Sequence, residues 1–316
     1  MTVRETERAR LFDEVADVLG RELEGSCKRN EPLCNHTSFR IGGPAALWVE
    51  ANSLADVRVA HEATSSRGLD LTVLGRGTNF LVSDTGYDGL CLTLGPRFRD
   101  CAIDSEQASL QAGAGALLGR LVQEAQQAAL TGLEFATGIP GTFGGALAGN
   151  AGTRDEWIGS LVRAVTTYSP AEGLRLLRGD EITFSYRCSS LRDNATILDA
   201  RLSLRPGAAP AIAARVKGAL TRRKATQPLF LPNAGSIFRN PAGALAAELI
   251  EGVGMKGARS GDAQVSELHA NFIVNHNAAQ ARDVMKLMQE IRDKVLNSYD
   301  IELKPEIRFL GAFDEY

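Results

Sequence analysis

The residues whose types and spacing point to chemistry are, first, glycines. The run Gly138-Ile139-Pro140-Gly141-Thr142-Phe143-Gly144-Gly145-Ala146, closed by Asn150-Ala151-Gly152, is not the composition of an ordinary helix or strand. Without a Cβ, glycine takes positive φ and lets another group approach closely, while Pro140 fixes the entry to the turn. Successive N–H groups in such a loop can converge on one anion, typically a phosphate. A second loop of the same kind lies earlier, at Gly75-Arg76-Gly77-Thr78-Asn79-Phe80. Two such loops in one chain suggest a pyrophosphate held between them, and hence a nucleotide cofactor. The plain alternative is a pair of tight turns.

Three polar residues are candidates for chemistry beside those loops. Ser236 follows Asn233-Ala234-Gly235, and a hydroxyl on a tight loop can donate a proton if its site is preorganised. No G-x-S-x-G elbow surrounds it, so a hydrolase nucleophile is not indicated, and the ordinary reading is a turn residue. Arg187 lies in Phe184-Ser185-Tyr186-Arg187-Cys188-Ser189-Ser190, where a guanidinium facing a pocket would grip a carboxylate with both prongs. Its ordinary reading is a surface ion pair. Glu306 follows Pro305 on an alternating terminal segment and reads otherwise as one polar residue on a solvated face. Spacing alone does not bring these three together.

Composition narrows the class. A chain of 316 residues with 44% hydrophobic and 23% charged residues suits a soluble globular protein of two or three domains. The net charge of -3 supplies no basic footprint, so nucleic acid is not expected as a partner. The five cysteines (Cys27, Cys34, Cys91, Cys101, Cys188) are scattered, form no C-x-x-C and fit a reducing cytoplasm better than a zinc site or disulfide framework. The charged N-terminal stretch lacks an apolar signal-peptide core, and no segment approaches the length of a membrane span.

The elements that must position these residues read as mixed α and β. Residues 5–23 are amphipathic, with Leu11, Val15, Val18, Leu19 and Leu23 on one face. Thr37 to Pro44 reads as a strand entering a glycine turn, and Ala46 to Val49 as a strand. Ser53 and Asp56 predict a capping box for a helix ending near Gly68, and Leu71 to Leu74 a strand delivering the first glycine loop. A dinucleotide fingerprint then fails, because Phe80 stands where the third glycine should open a helix and Leu81-Val82-Ser83 reads as strand or turn. Short strands at 90–94, 101–104 and 109–112 precede a helix over 115–129. More strands fill 162–204, a joint falls at Pro206-Gly207, and helices follow at 210–225 and after Asn277 and Gln280. Ile301, Leu303, Ile307 and Phe309 alternate with charged residues as in a terminal strand.

Taken in order, these motifs resemble the UDP-N-acetylenolpyruvoylglucosamine reductase family. The likeness runs from about Pro32 to Gly311, through Thr37-Ser38-Phe39-Arg40-Ile41-Gly42-Gly43, Gly75-Arg76-Gly77-Thr78-Asn79, Gly138-Ile139-Pro140-Gly141-Thr142, Tyr186-Arg187, Pro232-Asn233-Ala234-Gly235-Ser236, His269-Ala270-Asn271-Phe272-Ile273-Val274-Asn275 and Lys304-Pro305-Glu306-Ile307. The chain lacks a long insertion after Arg187, which resembles the compact subtype. It departs from the family pattern around Gly149 to Glu156, where methionine commonly precedes Asn-Ala-Gly and a Gly-Gly-Glu-like continuation follows.

The resemblance implies an α+β, two-subdomain FAD-binding fold of the vanillyl-alcohol-oxidase type over residues 1–206, divided at about 75/76. A smaller α+β substrate-binding domain over 207–316 would follow, its last strand returning Glu306 to the site. FAD would contact Gly75, Arg76, Gly77, Thr78, Asn79, Gly138, Ile139, Pro140, Gly141, Thr142, Gly145, Asn150, Ala151 and Gly152. NADPH would reduce FAD, and flavin N5 would deliver hydride to C3 of the enolpyruvyl group of a nucleotide sugar. Arg187 would bind the substrate carboxylate, Glu306 stabilise the intermediate and Ser236 protonate C2. Tyr186, Arg239, Asn240, Gln264 and Asn271 would line the substrate site. Reductases of a related unsaturated nucleotide sugar or enol ether, FAD oxidases of the same fold, and a non-enzymatic nucleotide-binding module are the competing readings.

Overall fold

The computed structural model describes residues 3–192 and 195–313. The chain forms two compact units that are not consecutive in sequence. The first comprises residues 1–29, 47–75 and 89–221, and the second residues 30–46, 76–88 and 222–316.

In the first unit, the helix Val3–Glu22 buries Phe12, Val15 and Leu19 along one stripe. The strands Ser26–Pro32, Pro44–Ala51, Tyr87–Leu94 and Leu71–Val73 neighbour one another in that order, the last two running parallel. Between two of them lies the helix Leu54–Ser65, shorter than the sequence suggests because Ser66 to Gly68 close it as a turn. A five-stranded antiparallel sheet follows in the spatial order Gly173–Arg178, Val162–Ser169, Thr196–Ser203, Ser109–Gly113 and Cys101–Asp104. The helix Leu118–Gln127 turns Leu118, Leu121, Val122 and Ala125 inward, the predicted face.

The predicted start of the helix Leu54–Ser65 is capped by Ser53 alone, and Asp56, the other residue of the expected capping box, has a wider role. Ser53 Oγ accepts the Asp56 N–H at 3.1 Å. The buried Asp56 carboxylate in turn accepts the N–H groups of Asn52 (2.7 Å), Glu24 (2.9 Å) and Gly25 (3.0 Å), and the Ser53 hydroxyl (3.0 Å). One side chain therefore satisfies the turn after the first helix and the start of the second. Burial works to raise the Asp56 pKa, but these donors outweigh it and hold the carboxyl below its ordinary value.

The second unit is built on the antiparallel strands Asn233–Ser236, Phe272–Asn275, Ala263–Val265 and Arg259–Ser260. The helix Ala281–Tyr299 buries Val284, Leu287, Met288, Ile291 and Val295 in a core shared with Phe39, Leu81, Phe238, Ile273 and Leu303. Gln280 precedes this helix as expected, and its N–H donates to Asp283 Oδ2, in the helix's own first turn, at 2.9 Å. Two further N–H groups are met from elsewhere in the unit, since the Asp84 carboxylate accepts the Ala281 N–H at 2.7 Å and the Arg282 N–H at 3.1 Å.

Three expectations change on the fold. Thr37 to Arg40 is a turn rather than a strand, with Arg40 at φ 55 and the Thr37 hydroxyl donating to the Ile41 carbonyl at 3.2 Å. Phe143–Ala148, inside the second glycine run, is a short helix capped by Thr142. The alternating C-terminal segment is strand only over Arg308–Leu310, which pairs in parallel with Phe80–Val82. Its earlier residues are extended, with Pro305 bridging Phe238.

Replacing Asp56 with alanine should cost about 2 to 4 kcal/mol, because several buried donors lose one acceptor. The folded pKa is depressed, so the stabilisation by Asp56 is present above the unfolded carboxyl value of about 4 and is lost as pH falls through the folded value. Denaturant titrations from pH 7 to pH 3 should show the gap between wild type and Asp56→Ala narrowing only at the acid end. A gap that does not depend on pH would remove the charge from the explanation.

Candidate active site

The second glycine loop is held by backbone bonds to the segment after the strand Ser109–Gly113. Gly144 N–H donates to Ala114 O (2.8 Å), Phe143 N–H to Ala116 O (2.8 Å) and Leu118 N–H to Gly141 O (3.1 Å). Thr142 caps the short helix, its Oγ1 accepting the Gly145 N–H at 3.3 Å. The first glycine loop reaches the same place. A Cβ added at Gly75 would lie 2.5 Å from Thr142 Oγ1, closer than a real Cβ contact allows. Gly75, Gly138, Pro140 and Gly145 are exposed, and Ile139, Gly141 and Thr142 partly so. Gly75, where the first glycine loop begins, thus meets the second glycine loop within the first unit.

The tail of the second loop serves the hairpin that carries Arg187. Phe184–Ser185 pairs with Cys188–Ser189, leaving Tyr186 and Arg187 as its tip. Asn150 Nδ2 donates to Ser185 O at 2.8 Å, and Asn150 Oδ1 accepts the Gly159 N–H at 3.1 Å. Ser189 Oγ donates to Ala148 O at 3.0 Å, and Arg187 Nη1 to Gly152 O at 2.9 Å. The Arg187 guanidinium also lies 5.3 Å from the centre of the Tyr186 ring. Asn150 and Arg187 both adopt left-handed backbone, at φ 45 and φ 56. That conformation is uncommon outside glycine and persists where the surroundings fix it.

The rest of the first glycine loop belongs to the second unit, together with Ser236 and Glu306. Gly77 O accepts the Ser38 N–H at 3.3 Å, and the Ser38 hydroxyl donates to Asn233 O at 2.6 Å. The turn at 37–43 therefore links Gly77 to the strand of Ser236, a role that sequence spacing does not reveal. In that strand Asn233 pairs with Val274 and Ser236 with Phe272, so one extra residue bulges between them. Gly235, at φ 78, makes the bulge, and its N–H is held by Asn233 Oδ1 at 2.9 Å. A side chain would find open space there, so the backbone angle alone demands glycine.

Glu306 lies beside this strand. Its N–H donates to Ile237 O at 2.8 Å, and its carbonyl accepts from Asn79 Nδ2 at 3.2 Å. On the other side, Asn271 Oδ1 accepts the Phe238 N–H (2.9 Å) and Asn271 Nδ2 donates to Phe238 O (2.7 Å). The amide of Asn271 is thereby committed to backbone. Asn240 Oδ1 accepts the Ala246 N–H at 2.9 Å, capping the helix Ala246–Gly252. Gln264 is buried, with its oxygen facing Arg259 (3.1 Å) and His276 (2.5 Å) and its nitrogen donating to Gly257 O (3.1 Å). Arg239 differs: its backbone N–H donates to Lys304 O, and its buried Nε finds no partner among the described residues.

Burial sets His61, Cys27 and Cys91 away from acid–base work near neutral pH. Burial lowers His61 to about 4, with its Nε2 2.8 Å from Thr196 Oγ1, so the ring is neutral. Burial raises Cys27 to about 11 and Cys91 to about 12, which keeps both as thiols. Among the described residues, no cluster of three or more His, Cys, Asp or Glu could hold a metal ion, and no helix is long and apolar enough to cross a membrane.

Comparison with known proteins gives the family. Residues 45–169 match the family described as "FAD binding domain". Residues 227–310 match "UDP-N-acetylenolpyruvoylglucosamine reductase, C-terminal domain". The chain is 43% identical to the UDP-N-acetylenolpyruvoylglucosamine reductase of Moorella thermoacetica over 89% of its own length and 92% of that protein. It is 41% identical to the protein of that name from Heliobacterium modesticaldum, over 92% and 93%. The crystal structure of UDP-N-acetylenolpyruvylglucosamine reductase from Thermus caldophilus superposes with a TM-score of 0.77 at 31% identity, covering 92% of this chain and 100% of that one.

An FAD-binding domain followed by this C-terminal domain, in a mixed α+β chain, defines a flavoprotein oxidoreductase. The chain belongs to the UDP-N-acetylenolpyruvoylglucosamine reductase family. Its own residues fit the cofactor, because Gly75, Gly138, Pro140 and Gly145 offer accessible loop backbone and the approach of Gly75 to Thr142 leaves no space for a side chain at that glycine. Gly75→Ala should therefore weaken FAD retention by about tenfold or more while leaving the fold intact. Flavin fluorescence released on dilution, with circular dichroism as the fold control, measures this. Undiminished retention would mean that the contact is packing alone.

Proposed function

We propose that this protein reduces UDP-N-acetylglucosamine enolpyruvate to UDP-N-acetylmuramate in peptidoglycan precursor synthesis, using FAD as resident cofactor and NADPH as reductant. The observation that carries the reading is the hydrogen bond from the Glu306 N–H to Ile237 O, which sets Glu306 beside the strand ending at Ser236. Asn79, from the first glycine loop, holds the Glu306 carbonyl from the other side. A cofactor loop, an acid and a hydroxyl thus share one backbone network within the second unit.

Gly75, Arg76, Gly77, Thr78 and Asn79 of the first loop, with Gly138, Ile139, Pro140, Gly141, Thr142 and Gly145 of the second, are assigned to FAD. When bound, FAD would supply the two-electron chemistry that carries hydride from NADPH to the enolpyruvyl group. The chain's own contribution is charge and a proton. Arg187 binds the substrate carboxylate through its planar fork and stabilises the negative charge that develops as C3 is reduced. Glu306 stabilises the same intermediate. Ser236 protonates C2; an aliphatic hydroxyl is a weak acid in water but suffices beside a strongly basic carbanion in a dry site.

Tyr186 extends the Arg187 site, and Arg239 is assigned to the substrate diphosphate. Asn240, Gln264 and Asn271 border that region through the backbone that they hold. The cofactor is assigned to residues 1–206 and the nucleotide sugar to 207–316, with Arg76–Asp88 packed in the same unit as the C-terminal segment.

Anaerobic NADPH consumption tests the reading. Oxidation should be sustained only with UDP-N-acetylglucosamine enolpyruvate and should yield the lactyl ether. A flavin that is reduced once and then stalls would point to a different acceptor. Ser236→Ala should leave flavin reduction by NADPH nearly unchanged and slow reoxidation by substrate by about two to four orders of magnitude. Equal losses in both half-reactions would remove the proton-donor role. Arg187→Lys should also lose turnover, because a point charge cannot replace the fork; near-normal turnover would take Arg187 out of the site.

A further inference from the structure

We infer that Asn150 is a positioning residue for Arg187, so that the tail of the second glycine loop serves the substrate carboxylate rather than the cofactor. The inference rests on the reading of Arg187 given above and assigns Asn150 a role different from the cofactor contact that its motif implies. Three observations carry it. Both ends of the Asn150 amide are spent on protein, Nδ2 on Ser185 O at 2.8 Å and Oδ1 on the Gly159 N–H at 3.1 Å. Asn150 is 5% exposed, so little of it is left for a ligand. Two residues further on, Gly152 O accepts from Arg187 Nη1 at 2.9 Å.

Asn150 therefore fixes the hairpin at Ser185, before its tip, while Gly152 fixes the guanidinium at the tip itself. Ser189 closes the far side by donating to Ala148 O at 3.0 Å. Arginine has many rotamers, and holding it in one lowers the entropic cost of binding a carboxylate. The left-handed backbone at both Asn150 and Arg187 fits this account. Asparagine tolerates that region better than most residues, whereas Arg187 adopts it at the tip of a two-residue hairpin that is held from both sides.

The test uses the FAD-loaded protein and its Asn150→Gly variant, which keeps the backbone conformation and removes both side-chain bonds. The dissociation constant for UDP-N-acetylglucosamine enolpyruvate, read from perturbation of the oxidised flavin spectrum, should rise about 10- to 100-fold. FAD affinity and the rate of flavin reduction by NADPH should stay within about twofold. In an Arg187→Ala background the same substitution should have little further effect on substrate binding, because the group it positions is gone. Weakened FAD affinity with unchanged substrate binding would return Asn150 to the cofactor and overturn the inference, as would additive losses in the double variant. Should Asn150→Gly fail to fold, Asn150→Asp keeps the acceptor for Gly159 and sets an oxygen against Ser185 O; it should show the same selective loss, and normal substrate binding in it would overturn the inference. Failure of the broader reading is distinguishable, since the unmodified protein would then not bind the enolpyruvyl substrate at all.

Discussion

The second unit depends on the obligation of buried backbone to find partners. Residues 304–310 bring two such sets of groups. Lys304 O and the Glu306 N–H are met by the Arg239 N–H and Ile237 O, and the Arg308 N–H is met by Asn79 O. Arg308–Leu310 then pairs in parallel with Phe80–Val82. An unpaired buried amide costs about as much as a lost hydrogen bond, so this segment cannot shift by a residue without breaking several partners at once. The position of Glu306 follows from that register, with its carbonyl tied to Asn79 by a further bond. The same pairing draws a segment from the first third of the chain into the unit formed by the last.

The first unit solves a different problem, that of holding loops with little regular structure of their own. It does so with side-chain acceptors placed where N–H groups lack partners. Asp56 collects three backbone donors, Thr142 Oγ1 collects Gly145, and Asn150 joins a loop to a hairpin. Short polar side chains suit this task, because they reach nearby backbone at small entropic cost. The glycines beside them give access, and the polar residues give rigidity. A loop that keeps its shape while leaving its backbone accessible needs both.

Much of this was legible in the sequence, for reasons that particular residues make plain. Ser53 and Asp56 predicted a helix start because capping is a local interaction. Leu118, Leu121, Val122 and Ala125 predicted a buried face because helical period is local too. The two glycine loops stood out by residue type, whereas Ser236, Arg187 and Glu306 read singly as ordinary polar residues and became candidates for one site only through the family resemblance. What the sequence hid depends on partners distant along the chain. Asp84 gives no sign that it caps a helix starting at Ala281, nor Ser38 that it bonds Asn233. The strand expected over 301–309 shrank to Arg308–Leu310 because alternation records which faces are buried and not whether a neighbouring strand is there to pair with. The resemblance alone made Asn271 and Gln264 site candidates, and no spacing along the chain shows the backbone and side-chain partners that their amides hold.

The proposed chemistry asks a serine to serve as the acid. Burial moves His61 down and Cys91 up, so neither exchanges protons near neutral pH. A donor with a pKa near 7 matters most when the proton must move in both directions at comparable driving force. Protonation of a carbanion formed by hydride addition to its neighbour is strongly downhill, so a weak acid suffices and its position matters more than its pKa. The Gly235 bulge, the Asn233 side chain and the pairing of Ser236 with Phe272 fix that position through backbone rather than through charge. Under the proposed function, the demand on the protein is thus geometric at Ser236 and electrostatic at Arg187. The supporting contacts differ accordingly, with strand register around Ser236 and hydrogen bonds to a strained hairpin around Arg187.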